Sequence, residues 1–281
     1  MGEVLRPTAV DQALAALAAG PWCVLAGGTD FYPARVGRLI EEPVLDITAL
    51  DDLRGVREEA EGWRIGALAT WSDLLATPLP PLFGGLKQAA REVGGVQIQN
   101  MGTIAGNLCN ASPAADGTPN LLCLDAAVEL RSAAGARRLP VADFVQGNRS
   151  TACRPDELVT AILVPRHGAR ARSTFLKLGA RRYLVISIVM VAAVLETDEA
   201  GTVTLARLSV GSCSARALRL PALEQALVGK PLTPALADLI NDRHLGGLSP
   251  IDDVRGSAAY RREAAAVLLR RALRQLAEQA A

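Results

Sequence analysis

Helices and strands share this 281-residue chain in a pattern that predicts an α+β fold in two domains. Three observations carry that expectation. Short apolar runs with strand character recur between alanine- and leucine-rich helical segments. Half of the residues are apolar, enough for a core in each of two modest domains. The composition then changes after the charged link "VPRHGARARST", where apolar β-branched runs replace the glycine-rich loops of the first half. The predicted domains are 1–170 and 171–281.

Taken in order, "RPTAVDQALAALAAG" reads as a helix opened by Pro7 and Thr8 and stopped by Gly20. "WCVLAGG" reads as a buried strand running into a glycine turn, and "PVLDIT" and "GWRIGALAT" as further strands. "TWSDLLA" has the pattern of a short helix capped by Thr70 or Ser72. A helical pattern from Leu86 to Val93 leads into "GGVQIQNMGTIAGNLCNASPAADGTPN", which carries turn chemistry throughout and predicts a long loop. "LLCLDAAVELRS" resumes strand or buried-core character. Beyond the link, "YLVISIVMVAAVLE" and "TVTLARLSVGS" predict buried strands. The closing "DDVRGSAAYRREAAAVLLRRALRQLAEQA" predicts an amphipathic helix with its Arg and Glu residues on one solvated face.

Bulk properties remove several function classes. Thirty basic residues against twenty-nine acidic ones leave a net charge of +1, which argues against a nucleic-acid or membrane surface as the main partner. The five cysteines are dispersed with no C-x-x-C, so neither a disulfide framework nor a structural zinc site is expected. The most apolar run, Leu184 to Leu195, spans twelve residues and is too short to cross a bilayer. With no secretory pattern at the start, the expected setting is the cytoplasm. Only two histidines occur, His167 and His244, both in polar contexts that predict surface positions. The sequence holds no G-x-S-x-G, H-E-x-x-H, G-x-x-x-x-G-K-[ST] or G-x-G-x-x-G motif.

Two glycine loops remain, Ala26–Asp30 and Gly102–Asn107. Such loops let backbone N–H groups face an anion, and Thr29, Thr103 and Asn107 add hydroxyl and amide donors. Ordinary strand-turn glycines are the competing reading. Asp116 suits a ribose hydroxyl, and equally an Asp-Gly turn. Lys177 carries no signal of its own.

Together, "RPTAVDQALAAL", "VLAGGTDFYP", "VLDITAL", "WRIGALATWSDL" and "QIQNMGTIAGNLCNASPAADGTPNLLCLDAAVEL" resemble, in order, the FAD-binding medium subunit of molybdenum hydroxylases. That family includes carbon monoxide dehydrogenase medium subunits and the flavin domain of xanthine dehydrogenase. "FLKLGARRYLVISIVMVAAVL" and "DDVRGSAAYRREAAAVLLRRAL" resemble its C-terminal flavoprotein domain, so the likeness covers nearly the whole chain. The resemblance implies a two-lobed FAD-binding domain of the PCMH/vanillyl-alcohol-oxidase-like type, followed by a smaller α+β domain.

It also implies non-covalent FAD. Val24, Leu25, Ala26, Gly27, Gly28, Thr29, Asp30 and Phe31 would form the first flavin loop, and Thr103, Ile104, Ala105, Gly106 and Asn107 the second. Asp116 would bind the adenosine part, with Val159 and Lys177 as further neighbours. Two departures stand out. Ala105 occupies a position where the family usually has glycine, harmless only if its φ is negative and its methyl faces away from the pyrophosphate. No cysteine-rich insertion interrupts "NLCNASPAAD", so Cys109 and Cys123 read as buried small residues.

The implied role is an electron-transfer subunit with no catalytic acid or base of its own. A molybdopterin-binding large subunit would oxidise substrate and a [2Fe–2S] small subunit would relay electrons. FAD would pass them to NAD⁺, oxygen or a quinone. The alternatives are a free-standing flavin oxidase or dehydrogenase of a small substrate, and a scaffold that has lost the cofactor.

Overall fold

A computed structural model describes residues 2–280 of the chain. β1 (Val4–Leu5), β2 (Cys23–Leu25) and β3 (Val44–Asp46) form a small parallel sheet in the order β1-β3-β2. Helix α1 (Val10–Ala19) lies between β1 and β2 in sequence and ends at Gly20, as its pattern predicts. Its buried residues Val10, Ala13, Leu14 and Leu17 follow one helical stripe.

A second sheet is antiparallel. Its strands are β4 (Val56–Glu59), β5 (Gly62–Gly66), β6 (Ala127–Ser132) and β7 (Gly135–Pro140). After helix α7 (Val141–Phe144) and the hairpin β8 (Val145–Gly147) and β9 (Ser150–Thr151), β10 (Leu158–Pro165) completes it in the order β4-β5-β10-β6-β7. α1 packs against β6 and β10, tying the parallel sheet to the antiparallel one.

Between β5 and β6 the chain is helical. α2 (Trp71–Ala76) opens with a reciprocal cap. The Asp73 N–H donates to Thr70 Oγ1 at 3.1 Å, and the Thr70 N–H donates to Asp73 Oδ2 at 2.9 Å. Thr70, not Ser72, is therefore the cap. α3 (Gly84–Glu92) follows.

The long loop expected over 94–120 is instead three short helices, α4 (Val96–Met101), α5 (Ile104–Asn110) and α6 (Gly117–Cys123). Each spans two turns or fewer, too short to show a 3.6-residue apolar period, so its turn residues dominate the sequence signal. Those residues act as punctuation. Thr103 caps α5, and Ala111 ends it at a left-handed φ of 47°.

The C-terminal part is a four-stranded antiparallel meander of β11 (Arg172–Leu178), β12 (Val189–Thr197), β13 (Val203–Gly211) and β14 (Leu218–Arg219). α8 (Pro221–Leu227) packs against β13, and the long α9 (Ala258–Ala280) lies against β11 and β12. β12 is buried on both faces, which explains its unbroken apolar run. Met190, Ala192 and Val194 belong to the core that α3 and α6 share with the N-terminal sheets. Val189, Val191, Ala193 and Leu195 belong to a second core beneath α9.

Two expectations are corrected in this region. The run from Leu184 to Leu195 is not one strand: Leu184 and Ile186 are exposed, and pairing begins at Val189. Nor is the polar face of α9 wholly solvated. Arg261 is buried and donates to the Ile188 carbonyl at 2.5 Å and to Asp253 Oδ1 at 2.7 Å. Among the described residues, no helix is long and apolar enough to cross a membrane.

Candidate functional site

A cleft of about 600 Å³ opens where the turn after β2 meets α4, α5 and the start of β10. One wall comes from the parallel sheet and the other from helices α2, α4 and α5 with β10 of the antiparallel sheet, which is the two-lobed arrangement expected. Glycines bring the walls together. A Cβ on Gly27 would lie 1.9 Å from the Met101 carbonyl oxygen, and one on Gly102 would lie 3.3 Å from Thr29 Oγ1. The glycine at 27 is therefore required because the two loops pack backbone to backbone. Gly28 sits at φ +72°, a left-handed conformation that glycine adopts without strain.

Each loop is separately anchored. The Trp71 N–H donates to the Gly102 carbonyl at 3.2 Å, and the Ile104 N–H to the Ala69 carbonyl at 3.1 Å, which pins the α4–α5 turn to α2. Thr103 Oγ1 accepts from the Gly106 N–H at 2.9 Å. On the first loop, the Arg35 guanidinium lies 3.8 Å from the centre of the Phe31 ring. It donates to the Phe31 carbonyl at 2.9 Å and to Glu42 at 2.6 Å. Cys23, beside this arginine, has its thiol pKa pushed up by burial.

The cleft presents hydrogen-bonding groups that the protein itself does not use. Among the described residues, the backbone N–H groups of Gly27, Gly28, Thr29, Asp30 and Phe31 have no protein acceptor, and all five residues line the cleft. Asn107 lines the opposite wall, with its Oδ1 buried beside Gly117 and without a partner. Unpaired polar groups in such a place are costly unless a ligand or water satisfies them. A run of amides suits an anion, and a long cleft with both apolar and polar walls suits a dinucleotide. The residues present therefore fit FAD.

Most of the sequence-predicted residues come together here. Val24, Ala26, Gly27, Gly28, Thr29, Asp30, Phe31, Thr103, Ala105, Gly106, Asn107 and Val159 all line the cleft. Leu25 and Ile104 lie behind it in the core. Ala105 is a buried helical residue with negative φ, so its methyl packs against the core and strains nothing.

Asp116 and Lys177 are placed differently. They pair with each other, Lys177 Nζ to Asp116 Oδ2 at 2.6 Å, and the Ser187 hydroxyl donates to Asp116 Oδ1 at 2.6 Å. Neither is among the residues lining the cleft. Burial pushes the Asp116 carboxyl up, against the opposing pull of the Lys177 ammonium and the Ser187 hydroxyl.

Two smaller expectations also change. Cys123 is buried as predicted, but Cys109 is exposed on the cleft wall. His167 is half-buried rather than superficial. Its Nε2 lies 3.2 Å from the Leu124 carbonyl and its Nδ1 lies 3.4 Å from Arg207 Nη1. Burial lowers its pKa. Sequence reasoning missed Arg35, Trp71, Asn110, Thr151 and Cys153, which line the cleft, and Arg149, which pairs with the lining residue Asp30. Trp71 and Asn110 lie inside stretches that carry the resemblance, whereas Arg35 and Arg149 come from short segments with no distinguishing pattern.

Comparison with known proteins places this geometry. Residues 1–167 match the family described as FAD binding domain in molybdopterin dehydrogenase, and residues 174–276 match the CO dehydrogenase flavoprotein C-terminal domain. The carbon monoxide dehydrogenase medium chain of Afipia carboxidovorans is 33% identical over 95% of this chain and 94% of its own. The nicotinate dehydrogenase FAD-subunit of Eubacterium barkeri is 35% identical over 79% of each chain. Reconstituted CO dehydrogenase from Oligotropha carboxidovorans superposes with a TM-score of 0.89 at 30% identity, covering 99% of this chain and 98% of that one.

Proposed function

This chain belongs to the FAD-binding family of molybdopterin dehydrogenases and is a flavin-dependent oxidoreductase component, and on that premise we propose that it is the electron-carrying subunit of a multi-subunit molybdenum hydroxylase. In this reading a [2Fe–2S] small subunit delivers electrons that a molybdopterin-binding large subunit takes from substrate. The flavin supplies the redox chemistry and passes the electrons to an external acceptor, NAD⁺, oxygen or a quinone.

The observation that carries the proposal is the run of unpaired backbone N–H groups from Gly27 to Phe31 along the cleft. These amides would bind the pyrophosphate. Thr29, Thr103 and Asn107 would add side-chain hydrogen bonds, and Trp71, Val93 and Ile98 would keep water from the apolar part of the cofactor. Asp116 and Lys177 would act from behind the cleft by fixing α6 to β11. The likeness to a carbon monoxide dehydrogenase medium chain supports the partners, as does the matched C-terminal domain. The two matched segments leave a gap between residues 167 and 174, which supports domains 1–170 and 171–281.

A carrier role is favoured over a free-standing oxidase by the state of the acidic groups. Among the described lining residues, the two carboxylates are Asp30 and Glu157. Asp30 pairs with Arg149 at 3.1 Å, and Glu157 pairs with Arg137 at 2.5 Å. Each of the two therefore already has an arginine partner. The five thiols are unpaired, which supports the cytoplasm as the setting.

The test is to express the chain with and without candidate partners. The proposal expects a yellow protein that releases intact FAD in acid, copurifies with iron–sulfur and molybdopterin subunits, and oxidises substrate only in their company. Substrate oxidation by the isolated chain would overturn it.

A further inference from the structure

Arg149 belongs to neither glycine loop, yet it touches the elements that carry both. It sits at the tip of the β8–β9 hairpin at a left-handed φ of 54°. Its backbone N–H donates to the Ala111 carbonyl at 3.0 Å, which seats the hairpin tip on the end of α5. From there its Nη1 donates to Asn110 Oδ1 at 2.7 Å and to Asp30 Oδ2 at 3.1 Å. Asp30 ends the first glycine loop, Asn110 ends the helix that the second loop begins, and both line the cleft. One guanidinium thus ties the two walls together on the solvent side, where both members of the ion pair are more than half exposed.

We propose that Arg149 is a positioning residue for the cofactor, holding the Asp30 loop at a fixed distance from α5 so that bound FAD leaves only when this link opens. The inference rests on the reading that FAD occupies the cleft. Two physical features favour it. The backbone of Arg149 is anchored on α5, so the side chain reaches Asp30 from a fixed base. Both bonds leave one nitrogen, Nη1, whose two N–H directions are fixed in the guanidinium plane, so it serves an amide oxygen and a carboxylate at once with more directionality than a lysine ammonium. Pairing also offsets the Asp30 charge beside an anionic ligand. An exposed pair is weak and is screened by salt, so it opens readily and acts chiefly on a rate.

The experiment measures FAD release from the holoprotein by the rise in flavin fluorescence on dilution, at low and high salt. Wild type is compared with Arg149→Gln, Arg149→Lys and Asn110→Ala. Arg149→Gln is expected to release FAD about three- to fivefold faster at low salt, with Arg149→Lys between it and wild type. Asn110→Ala removes the amide anchor while keeping the charge, and it too is expected to speed release. Raising the salt should bring wild type towards Arg149→Gln while barely changing the variant, a pattern that general loss of stability does not produce. Wild-type release rates in Arg149→Gln at every salt concentration would overturn the inference and leave the cofactor assignment standing. A wild-type protein that takes up no FAD overturns both, and that result is seen before any variant is made.

Discussion

The two places where the sequence marks cofactor contacts, the glycine loops and the Asp116–Lys177 pair, have opposite hydrogen-bond economies. Along the cleft, among the described residues, the backbone N–H groups from Gly27 to Phe31 are left without protein acceptors. Behind it, both Asp116 oxygens are engaged, one by Lys177 and one by Ser187, and the pair is almost wholly buried. The first arrangement is incomplete without a ligand, whereas the second is complete as it stands. The polar groups that the resemblance assigns to the cofactor therefore divide into those that wait for a partner and those that already have one. Asp116 and Lys177 join α6 to β11, and so the N-terminal part of the chain to the C-terminal meander.

The sharpest way to break this comparison is Asp116→Ala. It leaves the Lys177 ammonium buried without its counter-charge, a change that typically costs about 3–5 kcal/mol. Denaturant unfolding should show that loss. FAD affinity measured on the protein that remains folded should shift far less. A large affinity loss at unchanged stability would instead place Asp116 on the cofactor.

Gly27→Val acts on the other side. Its side chain meets the Met101 carbonyl, so the loops must part. The expected result is loss of FAD on gel filtration with a destabilisation of about 1–3 kcal/mol, as for overpacking. Full FAD occupancy in this variant would count against the cleft.

A second internal tie between the two parts gives a pH test. His167 contacts the Leu124 carbonyl and Arg207, near Asp125, and burial holds its pKa below the ordinary value of 6.5. The folded state therefore binds this proton less readily than the unfolded chain. Its contribution to stability is present above about pH 6.5 and is lost as pH falls through that value towards the depressed folded pKa. Thermal unfolding from pH 8 to 5.5 should show a steeper fall for wild type than for His167→Gln. Parallel curves would remove the histidine from the tie. The smallest effect is expected for Thr29→Ala, whose lost hydroxyl should weaken FAD binding by about 0.5–1.5 kcal/mol with no change in unfolding.

How much of this was legible in the sequence follows from what each signal measures. Helix α1 was readable because an apolar stripe and a glycine stop report local geometry directly, whereas β2, read as buried, is an edge strand with Val24 exposed, because an apolar run alone does not tell an edge from a centre. The loop residues of the cleft were readable through a resemblance that rests on long, specific stretches. The three helices between Val96 and Cys123 were not, because each is too short to reveal its period. The pairing of Asp116 with Lys177 joins residues 61 positions apart, and no local pattern records which partner a buried charge will find. Arg149 was silent for the same reason, since its partner Asp30 lies 119 residues away. The buried Arg261 shows the converse limit. Its place in an amphipathic pattern predicts solvent, and the loop around Asp253 covers it.

The measurement that tests the central claim most directly is amide hydrogen exchange on the FAD-loaded and FAD-free chain. The account predicts that FAD slows exchange most strongly at Gly27 to Phe31, where the amides gain acceptors, and much less around Asp116 and Lys177, whose side chains are already paired. Protection that appears around Asp116 and Lys177 while the Gly27–Phe31 amides exchange as before would contradict it.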